Sequence, residues 1–377
     1  MAVKPKQFLN YLFEYKVDNF FGVPDSLLKE LCLCIDDSVP KNQHIIAANE
    51  GNAIAIAAGY HLATGRIPLV YMQNSGLGNA INPLLSLCDK DVYSIPLLLM
   101  IGWRGEIKSS DEPQHKKQGR IQIDLLNVLE IPYVIISGND SKIENKLNQI
   151  MALTLEEQCP VAILVRKDTF AEYNSTLMPA YNESLKRERV IDIILKNIPN
   201  NSVIVSTTGK TSREIYEIRE KNSQMHCQDF LTVGSMGHCS SIALGIAMNK
   251  SNKKIICIDG DGSLIMHLGI LSTIGMLQPS NFYHILINNK VHESVGGQET
   301  SAKFINIPSL ARATAYKKVI SVDDEDSLKH AIVAFLDTKG PNFLEVVVKP
   351  GSRKNLGRPV IKPVDSKQAL MNFLKKV

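Results

Sequence analysis

The segment Ile256-Cys257-Ile258-Asp259-Gly260-Asp261-Gly262-Ser263-Leu264 runs an apolar stretch straight into a Gly-Asp-Gly turn. In parallel sheets ligands bind outside the carboxyl ends of the strands. Glycines there let backbone N–H groups approach a phosphate, and a helix start after the turn favours the anion. An acid inside a phosphate cradle is tolerable only if a cation lies between them. Asp261 is therefore a candidate metal ligand, with Gly260, Gly262 and Ser263 in the cradle. The next apolar run closes on Asn288-Asn289. If the two runs are neighbouring strands, Asp261 and Asn289 meet at one sheet edge. Two hard oxygen ligands, with phosphate oxygens and water, are what Mg²⁺ requires. Taken singly, each motif also reads as an ordinary surface turn; the pairing, one helix and one strand apart, points to a site. A dinucleotide site is disfavoured, because no GxGxxG occurs and Gly76-Leu77-Gly78 lacks both the third glycine and a suitably spaced acid. In the other half of the chain Glu50 opens an Ala-rich helical stretch (Ala53, Ala55, Ala57, Ala58). By itself that carboxylate reads as first-turn stabilisation by the helix dipole.

The elements that must position these residues are legible from hydrophobic periodicity. Short apolar runs predict strands at 20–23, 44–47, 68–73, 95–101, 133–136 and 161–165, alternating with helical spacing at 6–15, 26–35, 50–63, 79–87, 122–129 and 142–155. The alternation stops in a polar, Pro-broken stretch and then restarts. Strands are predicted at 202–206, 254–258, 282–288, 318–322 and 343–348, and helices at 187–196, 212–221, 240–248, 269–276 and 326–336. Strand–helix alternation of this kind predicts an α/β protein whose mainly parallel sheets carry helices on both faces. The expected organisation is a domain over 1–170, a linker over 171–186 and a second domain over 187–377 that ends in a basic Pro/Gly segment and a short helix at 367–375. A length of 377 residues fits that count.

Apolar residues make up 44% and charged residues 21% of the chain, which excludes a disordered or fibrous protein. The net charge is only +4 and no basic stripe interleaves with aromatics, so nucleic acid is not expected as a partner, whereas a small anionic substrate suits the surface. Seven cysteines, an odd number with no CxxC pair, predict buried reduced thiols in a cytoplasmic protein. The first residues lack the apolar core of a signal peptide, and no run of about 18 apolar residues predicts a membrane span.

The paired motifs resemble the signature of the thiamine-diphosphate-dependent enzymes. That resemblance implies a metal held by Asp261, Asn289 and the carbonyl of Val291, with Gly260, Gly262 and Ser263 at the diphosphate. It also demands a Glu at the start of a first-domain helix to act on the cofactor's aminopyrimidine ring, and Ala47-Ala48-Asn49-Glu50-Gly51-Asn52-Ala53 supplies one. In Gly234-Ser235-Met236-Gly237, Met236 matches the apolar wedge that folds the cofactor and the Gly234 carbonyl matches the acceptor for its amino group; as a residue alone, Met236 reads as ordinary core. The implied domains are two thiamine-diphosphate-binding folds, pyrimidine-binding at 1–170 and diphosphate-binding at 187–377, with no room for a middle domain. The implied partner is a second copy of the chain, with active sites between copies.

The two-domain layout narrows the resemblance to the phosphonopyruvate and sulfopyruvate decarboxylases. It is carried by Phe21-Gly22-Val23-Pro24-Asp25-Ser26-Leu27, Gln73-Asn74-Ser75-Gly76-Leu77-Gly78-Asn79, Gly234-Ser235-Met236-Gly237-His238, Gly351-Ser352-Arg353 and Leu356-Gly357-Arg358-Pro359. It implies decarboxylation of an anionic 2-oxo acid with thiamine diphosphate and Mg²⁺. One fused chain favours phosphonopyruvate over sulfopyruvate, and a synthase joining two oxo acids stays open. Asp25 is expected to move a proton or orient the oxo acid beside Glu50. Candidate substrate residues are Asp25, Asn79 and four basic side chains in expected loops without evident structural duty: His115, Arg120, Arg353 and Arg358.

Overall fold

A computed structural model describes residues 2–107, 111–175 and 185–375. The chain divides into two compact units, Met1–Pro179 with Val295–Gln298, and Ala180–Ser294 with Glu299–Val377. Of the linker expected over 171–186, residues 176–184 lie outside the described residues.

The first unit is built on six parallel strands: β1 (Phe20–Gly22), β2 (His44–Ile46), β3 (Leu69–Gln73), β4 (Leu98–Gly102), β5 (Tyr133–Ile136) and β6 (Val161–Val165), in the order β2-β1-β3-β4-β6-β5. The second repeats the plan with β7 (Val203–Ser206), β8 (Asp229–Leu231), β9 (Ile255–Gly260), β10 (Phe282–Asn288), β11 (Lys318–Val322) and β12 (Asn342–Val347), in the order β11-β12-β10-β9-β7-β8. Among the described residues there is no middle domain.

Central strands are buried on both faces, which is why they read as continuous apolar runs. Every residue of β4, β6 and β10 is buried. In the first unit one core packs Phe8, Leu12, Leu31 and Ile150 on one face of the sheet, and another packs Ala53, Ile54, Leu77 and Leu126 on the opposite face. Each such Leu or Ile contributes roughly 1.5–3 kcal/mol by burial. An N-cap such as Asn49 or Asp324 adds about 1 kcal/mol. The cores therefore set the architecture, and the caps set where helices begin.

The structure corrects the expected elements at four places. Residues 114–120, expected as a loop, form a helix (Pro113–Arg120). That segment has no apolar period of its own, and Pro113 sits at the helix start, where its missing N–H costs nothing. The helix start expected after the Gly-Asp-Gly turn falls at Asp261–Met266, ahead of the helix predicted at 269–276, and the short helix at Ile307–Ala313 and the strand β8 were not expected. Strand β8 carries Asp229, a buried carboxylate bonded to Arg219 Nε at 2.5 Å and Nη2 at 2.8 Å, so hydropathy does not mark it. No helix among the described residues is long and apolar enough to cross a membrane.

Candidate active site

In the first unit the residues of interest emerge from the carboxyl ends of four adjacent strands. Asp25 follows β1, Glu50 follows β2, Gln73 ends β3 and Arg104 follows β4. Glu50 is the first residue of the helix Glu50–Thr64, whose N-cap Asn49 accepts from Asn52 N at 2.9 Å. The Glu50 carboxylate is buried, and its Oε2 accepts from Asn79 Nδ2 at 2.7 Å. Burial pushes its pKa up, against the Asn79 hydrogen bond and its own backbone N–H. The Asn79 amide, expected among the substrate residues, is committed to Glu50. Gly76 makes room for the same carboxylate, since a Cβ there would stand 2.3 Å from Glu50 Oε1.

Asp25 is fully buried, accepting from Gln73 Nε2 at 2.6 Å and from Leu27 N at 3.0 Å. Burial raises its pKa, with the Gln73 and Leu27 hydrogen bonds and the nearby Arg104 charge acting the other way. Arg104 was not among the expected residues. It donates to Ser26 Oγ at 2.8 Å and to Asp111 through Nε at 2.8 Å and Nη2 at 2.5 Å. The available sequence signal was a basic residue just past a predicted strand, in Gly102-Trp103-Arg104-Gly105.

The basic candidates separate into different situations. His115 is buried, and burial followed by the Arg104 charge lowers its pKa, so it is a neutral imidazole near neutral pH; its Nδ1 has no hydrogen-bond partner among the described residues. Arg120 is exposed at the last residue of its helix. Arg353 does have a structural duty, contrary to expectation. It donates to Glu188 Oε1 at 2.9 Å and pairs with Glu217, whose other oxygen accepts from Gly357 N. Two carboxylates thus tie its loop down and neutralise its charge. Arg358 is exposed in the same loop.

In the second unit β9 and β10 are neighbours, with Ile287 opposite Gly260. This register brings Asp261 and Asn289 together just beyond the sheet edge. The Asp261 carboxylate is buried and accepts from Thr300 Oγ1 at 2.5 Å and from the backbone N–H of Asn289. Burial pushes its pKa up to about 6, with these hydrogen bonds pulling the other way. Asn289 Oδ1 accepts from Val291 N at 3.2 Å, and its Nδ2 donates to Glu293 Oε2 at 3.1 Å. Glu293 would be raised by burial, but Arg187 at 2.8 Å and Lys210 at 2.7 Å bring it down to about 2, a permanent anion that holds the Asn289 amide in one orientation. Thr300 and Glu293 were missed because neither belongs to a local motif.

The segment Gly234–Gly237 is bonded back to neighbouring strand ends. Gly234 N donates to Thr208 Oγ1 and Gly237 N to Ser263 Oγ, both at 3.1 Å. Gly237 has φ +90° and a Cβ there would meet the His267 ring at 2.6 Å, so only glycine fits. Met236 is 39% exposed, which excludes the reading of it as ordinary core. Gly260, Gly262 and Ser263 lie at the β9 end and in the helix Asp261–Met266.

A buried acid that is hydrogen-bonded but carries no basic partner among the described residues, beside an oriented amide oxygen and a glycine-rich helix start, suits a hard divalent cation and a diphosphate. A buried Glu with a raised pKa at a helix start suits a proton exchange with a ring nitrogen. Likeness to known proteins identifies the family. The family described as thiamine pyrophosphate enzyme, N-terminal TPP binding domain, matches residues 5–128, and its C-terminal TPP binding domain matches residues 207–346. A phosphonopyruvate decarboxylase of Streptomyces viridochromogenes is 32% identical over 368 residues, 94% of this chain and 90% of that protein. A sulfopyruvate decarboxylase of Methanosarcina acetivorans is 28% identical over 95% of this chain and 93% of that protein. A sulfopyruvate decarboxylase subunit beta of Methanococcus maripaludis is 32% identical over 51% of this chain and 99% of its own length. The single-chain layout therefore occurs under both names, and fusion by itself does not discriminate between their substrates. With both halves matched and the likeness to the Streptomyces enzyme running nearly end to end, this chain is a thiamine-diphosphate-dependent decarboxylase of the phosphonopyruvate and sulfopyruvate decarboxylase family.

Proposed function

We propose that the chain converts 3-phosphonopyruvate to phosphonoacetaldehyde and CO₂ in phosphonate biosynthesis, with Mg²⁺ as the metal, as a cytoplasmic homo-oligomer whose sites lie between copies. The reading rests most on one observation: Glu50 is a buried carboxylate with a raised pKa, oriented by Asn79 at the first residue of its helix. When bound, thiamine diphosphate supplies a nucleophilic carbon and an electron sink for loss of CO₂. Glu50 holds and exchanges a proton at the pyrimidine ring nitrogen. Met236 would be the apolar wedge against the bound cofactor, and the Gly234 carbonyl would accept from its amino group. Asp261, the Asn289 amide oxygen and the Val291 carbonyl would hold Mg²⁺, with Gly260, Gly262 and Ser263 at the diphosphate. Asp25 moves the proton that replaces CO₂ on the substrate carbon, or orients the oxo acid. An anionic Asp25 repels a phosphonate, so the phosphonate lies toward the basic residues and the leaving carboxylate away from them.

The phosphonate assignment is supported by the Streptomyces similarity; sulfopyruvate is the second reading, favoured by the single-chain Methanosarcina relative. An aldehyde assay on phosphonopyruvate, sulfopyruvate and pyruvate side by side decides. The expected result is the highest kcat/KM on phosphonopyruvate. A preference for sulfopyruvate transfers the assignment, and a ligated product in place of free aldehyde makes the enzyme a synthase.

Gly76→Ala is expected to lower kcat by roughly 10–100-fold, since displacing a catalytic group by about 1 Å has that scale of effect. Thermal stability and cofactor affinity should stay close to wild type; unchanged kcat would remove Gly76 from the positioning of Glu50. For the anionic end, Arg120→Ala is expected to raise KM for phosphonopyruvate by roughly tenfold or more, the cost of one charged hydrogen bond. Activity on pyruvate, which has no second anion, should be unaffected by Arg120→Ala. If this variant weakens both substrates equally, the phosphonate lies elsewhere. Arg353→Ala should move only stability, and modestly, because a partly exposed ion pair contributes about 0.2–1 kcal/mol.

A further inference from the structure

Beneath the Gly-Asp-Gly turn, and used by nothing above, lies a cluster of four fully buried side chains: Cys239, Cys257, Asp259 and His284. Cys257 and His284 face each other across β9 and β10. Cys239 is the first residue of the helix Cys239–Asn249, and its Sγ stands 3.7 Å from that of Cys257. Donor atoms of Cys239, Cys257 and Asp259 all lie within 4.8 Å of one another. His284 Nε2 lies 3.7 Å from Asp259 Oδ2.

Two features separate this cluster from an ordinary buried ion pair. A direct imidazole–carboxylate hydrogen bond would sit at about 2.7–3.0 Å. At 3.7 Å neither Asp259 Oδ2 nor His284 Nε2 makes a hydrogen bond of ordinary length among the described residues, and both are buried beside the two thiols. The other imidazole nitrogen, Nδ1, is 3.2 Å from Tyr316 Oη, which fixes the ring as the outer partner of a metal-binding histidine does. Two of the six edges approach those of a tetrahedron: S···S at 3.7 Å, and N···O at 3.7 Å, which must shorten on binding. Metal–sulfur bonds of about 2.3 Å give an S···S edge of about 3.8 Å, and bonds of about 2.0 Å to nitrogen and oxygen give an edge of about 3.3 Å.

We propose that Cys239, Cys257, Asp259 and His284 form a closed site for a soft divalent cation of the Zn²⁺ type, separate from the all-oxygen set at Asp261. Two thiolates and an imidazole select zinc over magnesium. Four protein ligands leave no open position, so the site is structural. It clamps the helix that follows Gly234–Gly237 to β9, the strand that leads into Asp261, and so ties the two cofactor-facing segments of this unit together.

The test is the metal content of the full chain, purified from cells grown with zinc and washed with chelator, measured by elemental mass spectrometry. Wild type and Asp261→Ala are each expected to carry about one zinc per chain, as a closed four-ligand site requires. Cys239→Ser should lose it while keeping a folded circular dichroism spectrum. Protein from cobalt-grown cells should show thiolate-to-cobalt charge-transfer absorption, which an oxygen-only site does not give. Wild-type protein with neither zinc nor those bands overturns the proposal, whatever the variants do. So does a Cys239–Cys257 disulfide found by mass spectrometry, or zinc that is lost in Asp261→Ala and kept in Cys239→Ser.

Discussion

Glu50→Gln is expected to keep thiamine diphosphate bound and to lose roughly 10²–10⁴ in kcat, the range for a group that transfers a proton in the rate-determining chemistry. The amide is isosteric and still accepts from Asn79, whose amide lies 2.7 Å from Oε2 in the native protein. It cannot hold or release a proton at the ring nitrogen. Cofactor affinity should change little, because the diphosphate and metal dominate it. The measurement is steady-state decarboxylation alongside a calorimetric cofactor titration. Retention of more than about a tenth of the activity falls below the range for acid–base residues and removes Glu50 from that role.

Asp261→Ala acts at the opposite end of the cofactor and should reverse the pattern. Removing a buried anion next to a divalent cation and a diphosphate leaves their charges poorly compensated. The expected cost is about 3 kcal/mol or more, roughly 100-fold in affinity. Cofactor binding should also lose its dependence on Mg²⁺. Asn289→Ala should act in the same direction but more weakly, since a neutral ligand is lost. Unchanged affinity in a titration at fixed Mg²⁺ would refute the metal role of Asp261. The two variants together also test the oligomer. If sites lie between copies, a mixed dimer of Glu50→Gln and Asp261→Ala chains contains one intact site, so re-equilibrated mixtures should recover about a quarter of wild-type activity. Sites confined to one chain recover none.

The legibility of this protein in its sequence follows from where its chemistry sits. Strands such as Leu98–Gly102 and Phe282–Asn288 are buried on both faces, and continuous burial writes itself into a continuous apolar run. A parallel sheet puts its ligands at strand ends, so Gly-Asp-Gly and Asn-Asn could be recognised as punctuation after such runs. Elements held by polar contacts were not legible. The helix Pro113–Arg120 has almost no apolar face, and β8 is anchored by the Arg219–Asp229 pair. Both depend on partners that local pattern does not encode.

The same division runs through the site. Residue type and spacing were enough to pair Asp261 with Asn289, because each lies within a few residues of a strand end, whereas Glu50 was singled out by the family resemblance and reads alone as a helix-dipole carboxylate. Only the tertiary structure decided what surrounds them. Thr300 comes from 39 positions away to bond Asp261, Gln73 from 48 away to bond Asp25, and Arg353 finds Glu188 across 165 positions. That last contact turned a candidate substrate residue into a loop anchor, while Arg104, unremarkable in the sequence, stands beside Asp25 because β4 and β1 both flank β3. A local motif records which groups the chemistry needs at a strand end. Burial, charge compensation and side-chain orientation are sums over neighbours that folding alone brings together.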